Sequence, residues 1–237
     1  MCARPVAPIA DPGSQRQRPH PEHGSQEADT ILDHAAAIVA EKGPAALTMC
    51  SLARTAGTSV GSLHHIFPNR GRVLGAVAER HASPVRAITD RLEGIPTATW
   101  RRLTAEEAIG ELLLPYADYV RRHPDFVPLM RRPTLGSLAT GFSNLIDGIL
   151  ARRLPLTPKR ERQTHAEFLH AVATGTVHLA YQLDPSKLDV WLEDVRRMLV
   201  TCLVQIEERA DMRVKANEKT LPRAATTRQS RRGVYWI

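Results

Sequence analysis

The sequence predicts an all-α fold. Apolar residues recur at helical spacing along most of the 237-residue chain, and no segment alternates apolar and polar residues as a half-buried strand does. Capping residues also stand before several of these stretches, for example at Thr48, Ser59 and Thr104. We therefore expect about nine helices, with three near the N-terminus followed by a larger helical body.

The N-terminal unit contains three of the predicted helices. The first covers about residues 25–42 and is followed by a helix-stopping glycine. Two short helices follow at 48–57 and 59–67, and each begins with a Thr or Ser that can cap its free amides. Between them stands Gly57, which tolerates the positive φ that a tight turn needs.

Further helices are predicted for the rest of the chain. Asn69 caps a long helix, in which Pro84 predicts a kink or break. Thr104 and Glu107 form a capping box before a helix with an interior proline at Pro115. The remaining helices are expected at about 125–132, 135–153, 158–179 and 188–206.

These patterns divide the chain into four parts. Residues 1–24, rich in Pro, Arg, Gln and His, predict a disordered arm, and residues 25–85 form the N-terminal domain. Residues 86–210 form the larger helical domain. Residues 211–237 carry seven basic and two acidic side chains and predict a basic, disordered tail. Such a tail either contacts nucleic acid without specificity or is simply solvated.

Composition excludes several classes of protein. Three widely spaced cysteines argue against a disulfide framework or zinc site, and the longest stretch without Asp, Glu, Lys, Arg or His, 133–146, is too short to span a bilayer. No signal peptide, phosphate loop, nucleophile elbow or dinucleotide motif is present, so we expect a cytoplasmic protein that is not an enzyme. His20 and His23 have metal-ligand spacing but lie in the predicted disordered arm, and no such pair falls on a predicted helix, so neither a metal nor a cofactor is expected.

The segment 47–67 predicts a helix-turn-helix, because two short helices meet at a glycine turn. Its buried side is expected to consist of Leu52, Ala53, Val60, Leu63 and Phe67. The second helix keeps an outer polar face, which suits the major groove of DNA. The residues expected to contact phosphates or base edges are Thr48, Thr58, Ser59, Gly61, Ser62, His64, His65 and Arg70.

The same region resembles the tetracycline-repressor-like (TetR/AcrR) family of bacterial transcription regulators. The resemblance is carried by ILDHAAAIVAEKG at 31–43 and LTMCSLARTAGTSVGSLHHIFPNRGRVLGAV at 47–77, whose spacing agrees without gaps. It implies an N-terminal helix-turn-helix DNA-binding domain and a helical ligand-binding and dimerisation domain. Three residues depart from the family pattern: His64 replaces an aromatic residue, mostly Tyr, while Arg70 and Gly71 replace Lys and Glu.

The larger domain offers candidate ligand and dimer contacts. Aromatic and apolar residues that could line a ligand chamber, with ordinary core packing as the alternative for each, are Tyr116, Tyr119, Met130, Phe142 and Phe168. The last two long helices, about 160–208, are expected to pair with a second copy. Candidate interface residues, with inward packing as the alternative, are Leu169, Val172, Leu192, Leu199 and Leu203.

Together these observations predict a homodimeric, ligand-responsive DNA-binding regulator, most simply a repressor on a near-palindromic operator. Its expected partners are double-stranded DNA, a second copy of itself and an unidentified small molecule, without a membrane. Two alternatives remain. One is an activator without a small-molecule effector, and the other is a helical small-molecule carrier that has lost operator binding.

Overall fold

The computed structural model describes residues 21–220, and every structural statement below concerns this part of the chain. Within it the chain forms ten α-helices and no β-strand, which confirms the predicted all-α class. The helices are α1 (Pro21–Lys42), α2 (Met49–Thr55), α3 (Val60–Ile66), α4 (Arg70–Glu93), α5 (Thr97–Arg102), α6 (Ala105–Arg122), α7 (Phe126–Leu129), α8 (Gly136–Arg153), α9 (Lys159–Leu183) and α10 (Leu188–Thr220). Short 3-10 turns precede α2, α8 and α10.

Capping residues set the starts of the helices in the N-terminal unit. The Thr48 hydroxyl accepts the backbone amide of Ser51, and the Ser51 hydroxyl accepts that of Thr48, so both close a capping box at α2. Ser59 caps α3 and Asn69 caps α4 through their side-chain oxygens. The three predicted caps are therefore confirmed, and each satisfies amides that a helix start leaves free.

A small apolar core holds α1 to α4 together. Leu52 of α2, Leu63 of α3 and Val73 of α4 are fully buried, and they join the same core as Val39 of α1. Burial of side chains of this size stabilises the fold by roughly 1.5–3 kcal/mol each. Val60, which was also expected in this core, is 37% exposed and belongs to the outer face of α3.

Helix α4 connects the N-terminal unit to the larger domain without interruption. The expected break at Pro84 is wrong, because α4 runs from Arg70 to Glu93 through this proline. Pro84 lies on the exposed side, while Val77 and Val85 hold the helix in the core on either side of it. The price is one missing helical hydrogen bond, since Pro84 has no amide to donate to the Arg80 carbonyl.

Arg80 also fastens α4 to α1. One of its guanidinium nitrogens donates to the Asp33 carboxylate at 2.7 Å, and the other donates to the carboxylate and backbone carbonyl of Asp29. Tyr181 of α9 adds a second link, because its hydroxyl donates to the Ala40 carbonyl of α1 at 3.3 Å. Helix α1 is thus attached both to α4 and to the larger domain.

Two adjacent arginines tie together the larger domain. The side chain of Arg153 in α8 is 7% exposed, and it donates to the carbonyls of Trp100 and Leu103 while pairing with Glu207 of α10. Arg152 donates to backbone carbonyls at the end of α4 and in the α4–α5 connection. These charge-assisted hydrogen bonds fix the short helix α5 against α8.

The last helix is longer than the sequence predicts. Helix α10 continues to Thr220, so the predicted tail boundary at 210 is wrong for residues 211–220, and Arg213 pairs with Glu161 of α9. Helix α1 likewise begins at Pro21, inside the predicted arm. The rest of the predicted arm (1–20) and tail (221–237) lies outside the described residues. Between residues 21 and 220, no helix combines the length and apolarity needed to cross a bilayer.

Candidate nucleic-acid interface

The turn between α2 and α3 takes the predicted form. Gly57 has a φ of 65°, a conformation that suits glycine because it has no Cβ. The Thr58 amide donates to the Ala53 carbonyl at 3.0 Å and closes the turn behind α2. This turn separates α3 from α2, so that α3 forms a short helix of its own.

Helix α3 has one buried and one exposed side. Leu63 anchors it in the core, and Phe67 just beyond it is half-buried. Ser62, His64 and His65 are all exposed on the rest of its surface. A seven-residue helix with exposed Ser and His side chains presents hydrogen-bonding groups that can reach base edges and phosphates.

The structure places most of the predicted DNA contacts at the surface. Of the eight, Thr58 is half-buried, and the exposed ones are Thr48, Ser59, Gly61, Ser62, His64, His65 and Arg70. The hydroxyls of Thr48 and Ser59 are engaged as helix caps, and the Ser59 Oγ lies 2.9 Å from the Ser62 Oγ. A Cβ at Gly61 would meet only the Ser59 Oγ at 3.7 Å, so this glycine leaves open space outward.

Two predicted contact residues are oriented by loop carbonyls. His64 Nδ1 lies 3.0 Å from the Pro68 carbonyl oxygen, across the turn between α3 and α4. The Arg70 guanidinium donates to the Pro44 carbonyl in the α1–α2 connection, and its side chain is exposed. The first contact links α3 to the residues just before α4, and the second links the start of α4 to the α1–α2 connection.

The charge distribution around α3 is not apparent from the net charge of the whole chain. Residues 43–78 contain no Asp or Glu, whereas they contain Arg54, Arg70 and Arg72 as well as two histidines. All three arginines are exposed. Arg54 and Arg72 were not among the predicted contacts, and a count of charges by segment would have identified them. The combined positive charge of these exposed side chains attracts a polyanion such as DNA.

Tyr116 and Phe142, both predicted ligand-chamber residues, pack against each other in the larger domain. Their ring centroids lie 4.8 Å apart in an edge-on arrangement. The Tyr116 hydroxyl lies 2.9 Å from Thr89 Oγ1, so this contact joins α4, α6 and α8. Burial raises the pKa of Tyr116 to about 12, which keeps its hydroxyl neutral at physiological pH.

Tyr119 belongs to a buried polar cluster that the sequence reading missed. Its hydroxyl lies 2.7 Å from His81 Nδ1, and the other ring nitrogen of His81 lies 3.0 Å from the Asp125 carboxylate. Phe126 packs edge-on against the His81 ring, with centroids 5.1 Å apart. His81 follows Val77 by four residues on the buried stripe of α4, so its position in the helical repeat was the available signal.

Other ligand and interface predictions need correction. Phe168 is 52% exposed on α9, so its prediction as a chamber wall is wrong, while Met130 is half-buried. Three predicted interface residues are core residues within one chain, each at most 3% exposed, so the inward-packing alternative applies to Leu169, Leu199 and Leu203. Val172 and Leu192 are half-buried against the same core. Larger apolar side chains exposed on α9 and α10 are Phe168, Leu179, Leu183, Val190, Met198, Val204 and Met212.

The histidines of α9 serve local contacts. His165 lies 3.6 Å from Glu161, whereas His170 Nδ1 lies 2.6 Å from the Ser143 hydroxyl. Burial lowers the pKa of His170. Among the described residues, no group of three or more His, Cys, Asp or Glu side chains is placed to hold a metal ion.

Solved structures with the same fold are bacterial regulators. A TetR-family transcriptional regulator from Streptomyces coelicolor has 23% identity and a TM-score of 0.53, covering 76% of this chain and 98% of that chain. SmeT, the repressor of the Stenotrophomonas maltophilia multidrug efflux pump SmeDEF, has 21% identity and a TM-score of 0.55, covering 75% and 89%. FadR from Bacillus subtilis, in complex with stearoyl-CoA, has 15% identity and a TM-score of 0.52, covering 73% and 98%.

Family comparison covers both domains. Residues 31–77 match the model of bacterial regulatory proteins of the tetR family, and residues 104–203 match that of the tetracyclin repressor-like C-terminal domain. A search of the curated proteins found no match. The two family matches include the helix-turn-helix and most of the larger domain, and they confirm the resemblance read from the sequence. The chain therefore belongs to the TetR family, as a DNA-binding transcriptional regulator rather than an enzyme.

Proposed function

We propose that this regulator is a homodimeric repressor, which binds a near-palindromic operator in the cytoplasm and releases it when a small molecule binds. The observation that carries the proposal is the exposed polar side of α3 within a segment, residues 43–78, that lacks any carboxylate. Like charge repels carboxylates from phosphates, so their absence favours close approach to DNA.

The exposed residues divide into two roles. We assign base reading to Ser62 and His65, because both are exposed on α3 and their side chains donate and accept hydrogen bonds. Arg70 is assigned to a phosphate, since a guanidinium binds phosphate oxygens strongly whatever the base sequence. Thr48, exposed at the start of α2, is assigned to a phosphate as well, which its hydroxyl can contact by exchanging the hydrogen bond that it donates to the Ser51 hydroxyl at 3.0 Å.

Dimerisation is supported by the exposed surface of α9. Phe168 and Leu179 are both more than half exposed, and Ala171 and Gly175 stand between them at helical spacing on the same side. A Cβ at Gly175 would meet nothing within 4 Å, so a second helix can approach closely there. Exposed apolar surface of this kind marks an interaction site.

Helix α10 completes this surface. It packs beside α9 within the chain, and Val190, Met198, Val204 and Met212 are exposed along it. We therefore assign the interface to the outward sides of α9 and α10, which together form half of a four-helix bundle. A two-fold axis through this bundle places two copies of α3 on successive half-sites of one operator.

Effector response is assigned to the contact among α4, α6 and α8. Tyr116 meets Phe142 there and is bonded to Thr89 of α4, the helix that continues into the N-terminal unit. A molecule that enters beside this contact displaces α4 if it binds the displaced state more tightly. The FadR relative holds stearoyl-CoA, and a SmeT structure holds triclosan, so an apolar or amphipathic effector is the class we propose.

The function is tested with purified protein and a library of random-sequence duplexes. Repeated selection should return a near-palindromic site, and analytical ultracentrifugation of the protein with that site should give two chains per duplex. Stearoyl-CoA and triclosan then serve as probes for release of the DNA. Sequence-specific binding that increases transcription of a reporter indicates the activator, whereas absence of any salt-sensitive, specific complex indicates the carrier.

A further inference from the structure

Helix α10 carries its apolar side beyond the buried core of the larger domain. Leu199, Leu203 and Ile206 are buried in that core, and the same helical spacing continues with Ala210 and Val214. The last two of these residues are only half-buried. The last turns of α10 therefore keep apolar surface that the other helices of this domain do not fully cover.

A groove lies along this side of α10, with the α8–α9 connection as its other wall. Its volume is about 460 Å³, which is comparable to that of a ligand pocket. Leu154 and Thr157 line it and are buried, whereas Leu156 is 76% exposed, the highest value among the large apolar side chains of residues 21–220. An exposed apolar side chain at a groove of this size indicates an interaction site.

The charges of the groove favour a basic occupant over an acidic one. Arg153 and Arg213, which line it, are already paired with Glu207 and Glu161. Asp211 lines the groove as well, is exposed, and forms no ion pair with any residue between 21 and 220. A segment that carries positive charge next to large apolar side chains is therefore complementary to this groove.

The same chain contains a segment with this composition. Residues 231–237 read RRGVYWI, so two arginines and a glycine precede four apolar residues, of which two are aromatic. The 13 residues from 221 to 233 connect the end of α10 to this apolar segment, and they span up to roughly 45 Å when extended. Val214 lies only about 10 Å back along α10 from Thr220. The connection is therefore long enough for the segment to return to the groove.

We propose that residues 234–237 dock into this groove of their own chain, with the two preceding arginines beside Asp211. The Tyr235 and Trp236 side chains supply the large apolar area that such a contact needs, since each buries roughly 150–250 Å² when it is fully packed. Because the segment is tethered to the helix that forms the groove, its effective concentration is high, and it competes well against a segment of another molecule.

Docking has a consequence for the basic residues between 221 and 233. The groove lies at the far end of α4, because Arg152, next to the lining residue Arg153, donates to the Glu93 carbonyl. Helix α4 has 24 residues, so this end lies roughly 35 Å from Arg70. A connection of 13 residues attached at both ends reaches at most roughly 22 Å outward. Docking therefore holds this basic charge away from the surface around α3.

The test uses fluorine NMR of the full chain labelled with fluorotryptophan. The three tryptophans are Trp100, Trp191 and Trp236, and the signal of Trp236 is identified by its loss in Trp236→Phe. A soluble gadolinium chelate should broaden this signal several-fold less than that of the same residue in a synthetic peptide of residues 228–237. Leu156→Asp places a charge in the groove and should raise the broadening to the peptide value. Leu114→Asp, at an exposed leucine of α6, is the matched control and should keep Trp236 protected.

Two results of this experiment overturn the inference. One is broadening of Trp236 in the unsubstituted protein equal to that in the peptide, and the other is unchanged protection in Leu156→Asp. A mixing experiment identifies the chain that supplies the groove, with labelled unsubstituted protein in an excess of unlabelled Leu156→Asp protein. Docking within one chain keeps Trp236 protected in the mixture. Loss of protection there means that the segment docks on a second copy, which also overturns the inference.

Deletion of residues 221–237 gives an independent readout on DNA. Because the docked segment keeps the basic residues out of reach of the duplex, the slope of log K against log salt should be the same with and without them. A shallower slope after the deletion would place these residues on DNA and overturn the inference. A protein that binds no DNA at all would refute the proposed function, while the NMR experiment would still decide whether the segment docks.

Discussion

The Nε2 atom of His81 lies 3.0 Å from the Asp125 carboxylate, and both residues are buried. The pair joins α4 to the segment between α6 and α7, and the Tyr119 hydroxyl occupies the other ring nitrogen. Three polar side chains, from α4, from α6 and from the segment that follows α6, thus satisfy one another inside an apolar core. Because each side chain depends on the others for its hydrogen bonds, removal of any one of them leaves a buried polar group without a partner and destabilises the fold.

Asp125→Ala should therefore lower the free energy of unfolding by about 2 kcal/mol or more, because a buried donor of His81 loses its acceptor. Urea denaturation followed by circular dichroism measures the change. Asp118→Ala is the matched control, since Asp118 pairs with Arg121 at the surface and its loss should be smaller than about 1 kcal/mol. Equal losses in the two variants would contradict a structural role for the buried pair.

Arg70→Ala should weaken binding to all DNA sequences by a similar factor. If Arg70 neutralises one phosphate in each subunit, the slope of log K against log salt should become shallower by about one per subunit. Titrations of the selected duplex from low to high salt measure this slope. Arg91→Ala, an exposed arginine near the far end of α4, should leave the slope unchanged. An unchanged slope in Arg70→Ala would remove Arg70 from the phosphate contacts.

Phe168→Arg should produce a monomer. A charged side chain on the apolar side of α9 would have to be buried without a partner, which should raise the dimer dissociation constant by roughly a hundredfold or more. Sedimentation velocity gives the oligomeric state directly. Leu114→Arg is matched in exposure, at 53% against 52% for Phe168, but lies on α6, and it should remain dimeric. A dimeric Phe168→Arg protein would mean that another surface pairs the subunits.

Pro84→Ala should stabilise the protein by roughly 1–3 kcal/mol, because an alanine amide can donate to the Arg80 carbonyl that proline leaves free. Because Pro84 is exposed, the substitution leaves the packing of the core unchanged. Thermal and urea unfolding measure the gain. Ser83→Ala, exposed at the preceding position, should change stability by less than about 0.5 kcal/mol. A loss of stability in Pro84→Ala would show that the ring makes a contact worth more than the missing hydrogen bond.

Local signals predicted the N-terminal unit well. Thr48, Ser59 and Asn69 cap helices through their own side chains, and Gly57 adopts the positive φ that its turn requires. Each of these features depends on a few neighbouring residues, so the sequence contains the whole cause. The polar side of α3 was equally readable, because Leu63 alone among its central residues is apolar enough for the core.

Relations between distant helices were predicted less well. Leu199 and Leu203 lie on an apolar stripe of α10, but which stripe meets the same chain and which meets a second copy depends on how α9 and α10 pack. The outward orientation of Phe168 could not be predicted either, because it also depends on how α9 packs. At Pro84 the local pattern predicts a kink or break, but α4 packs against the core on both sides of the proline and continues through it. The hydrogen bonds of His81 depend on which helices lie beside α4, so its own sequence neighbours do not predict them.

The attachment of Arg80 to Asp29 and Asp33 has a consequence for the effector response that we propose. Because this attachment joins α4 to α1, a tilt of α4 carries the reading helix and its supports as one rigid body. Pro84 removes the helical hydrogen bond to the Arg80 carbonyl, so the turn of α4 that follows this attachment has one hydrogen bond fewer. In the dimer that we propose, the distance between the two copies of α3 would then depend on the tilt of α4 in each subunit.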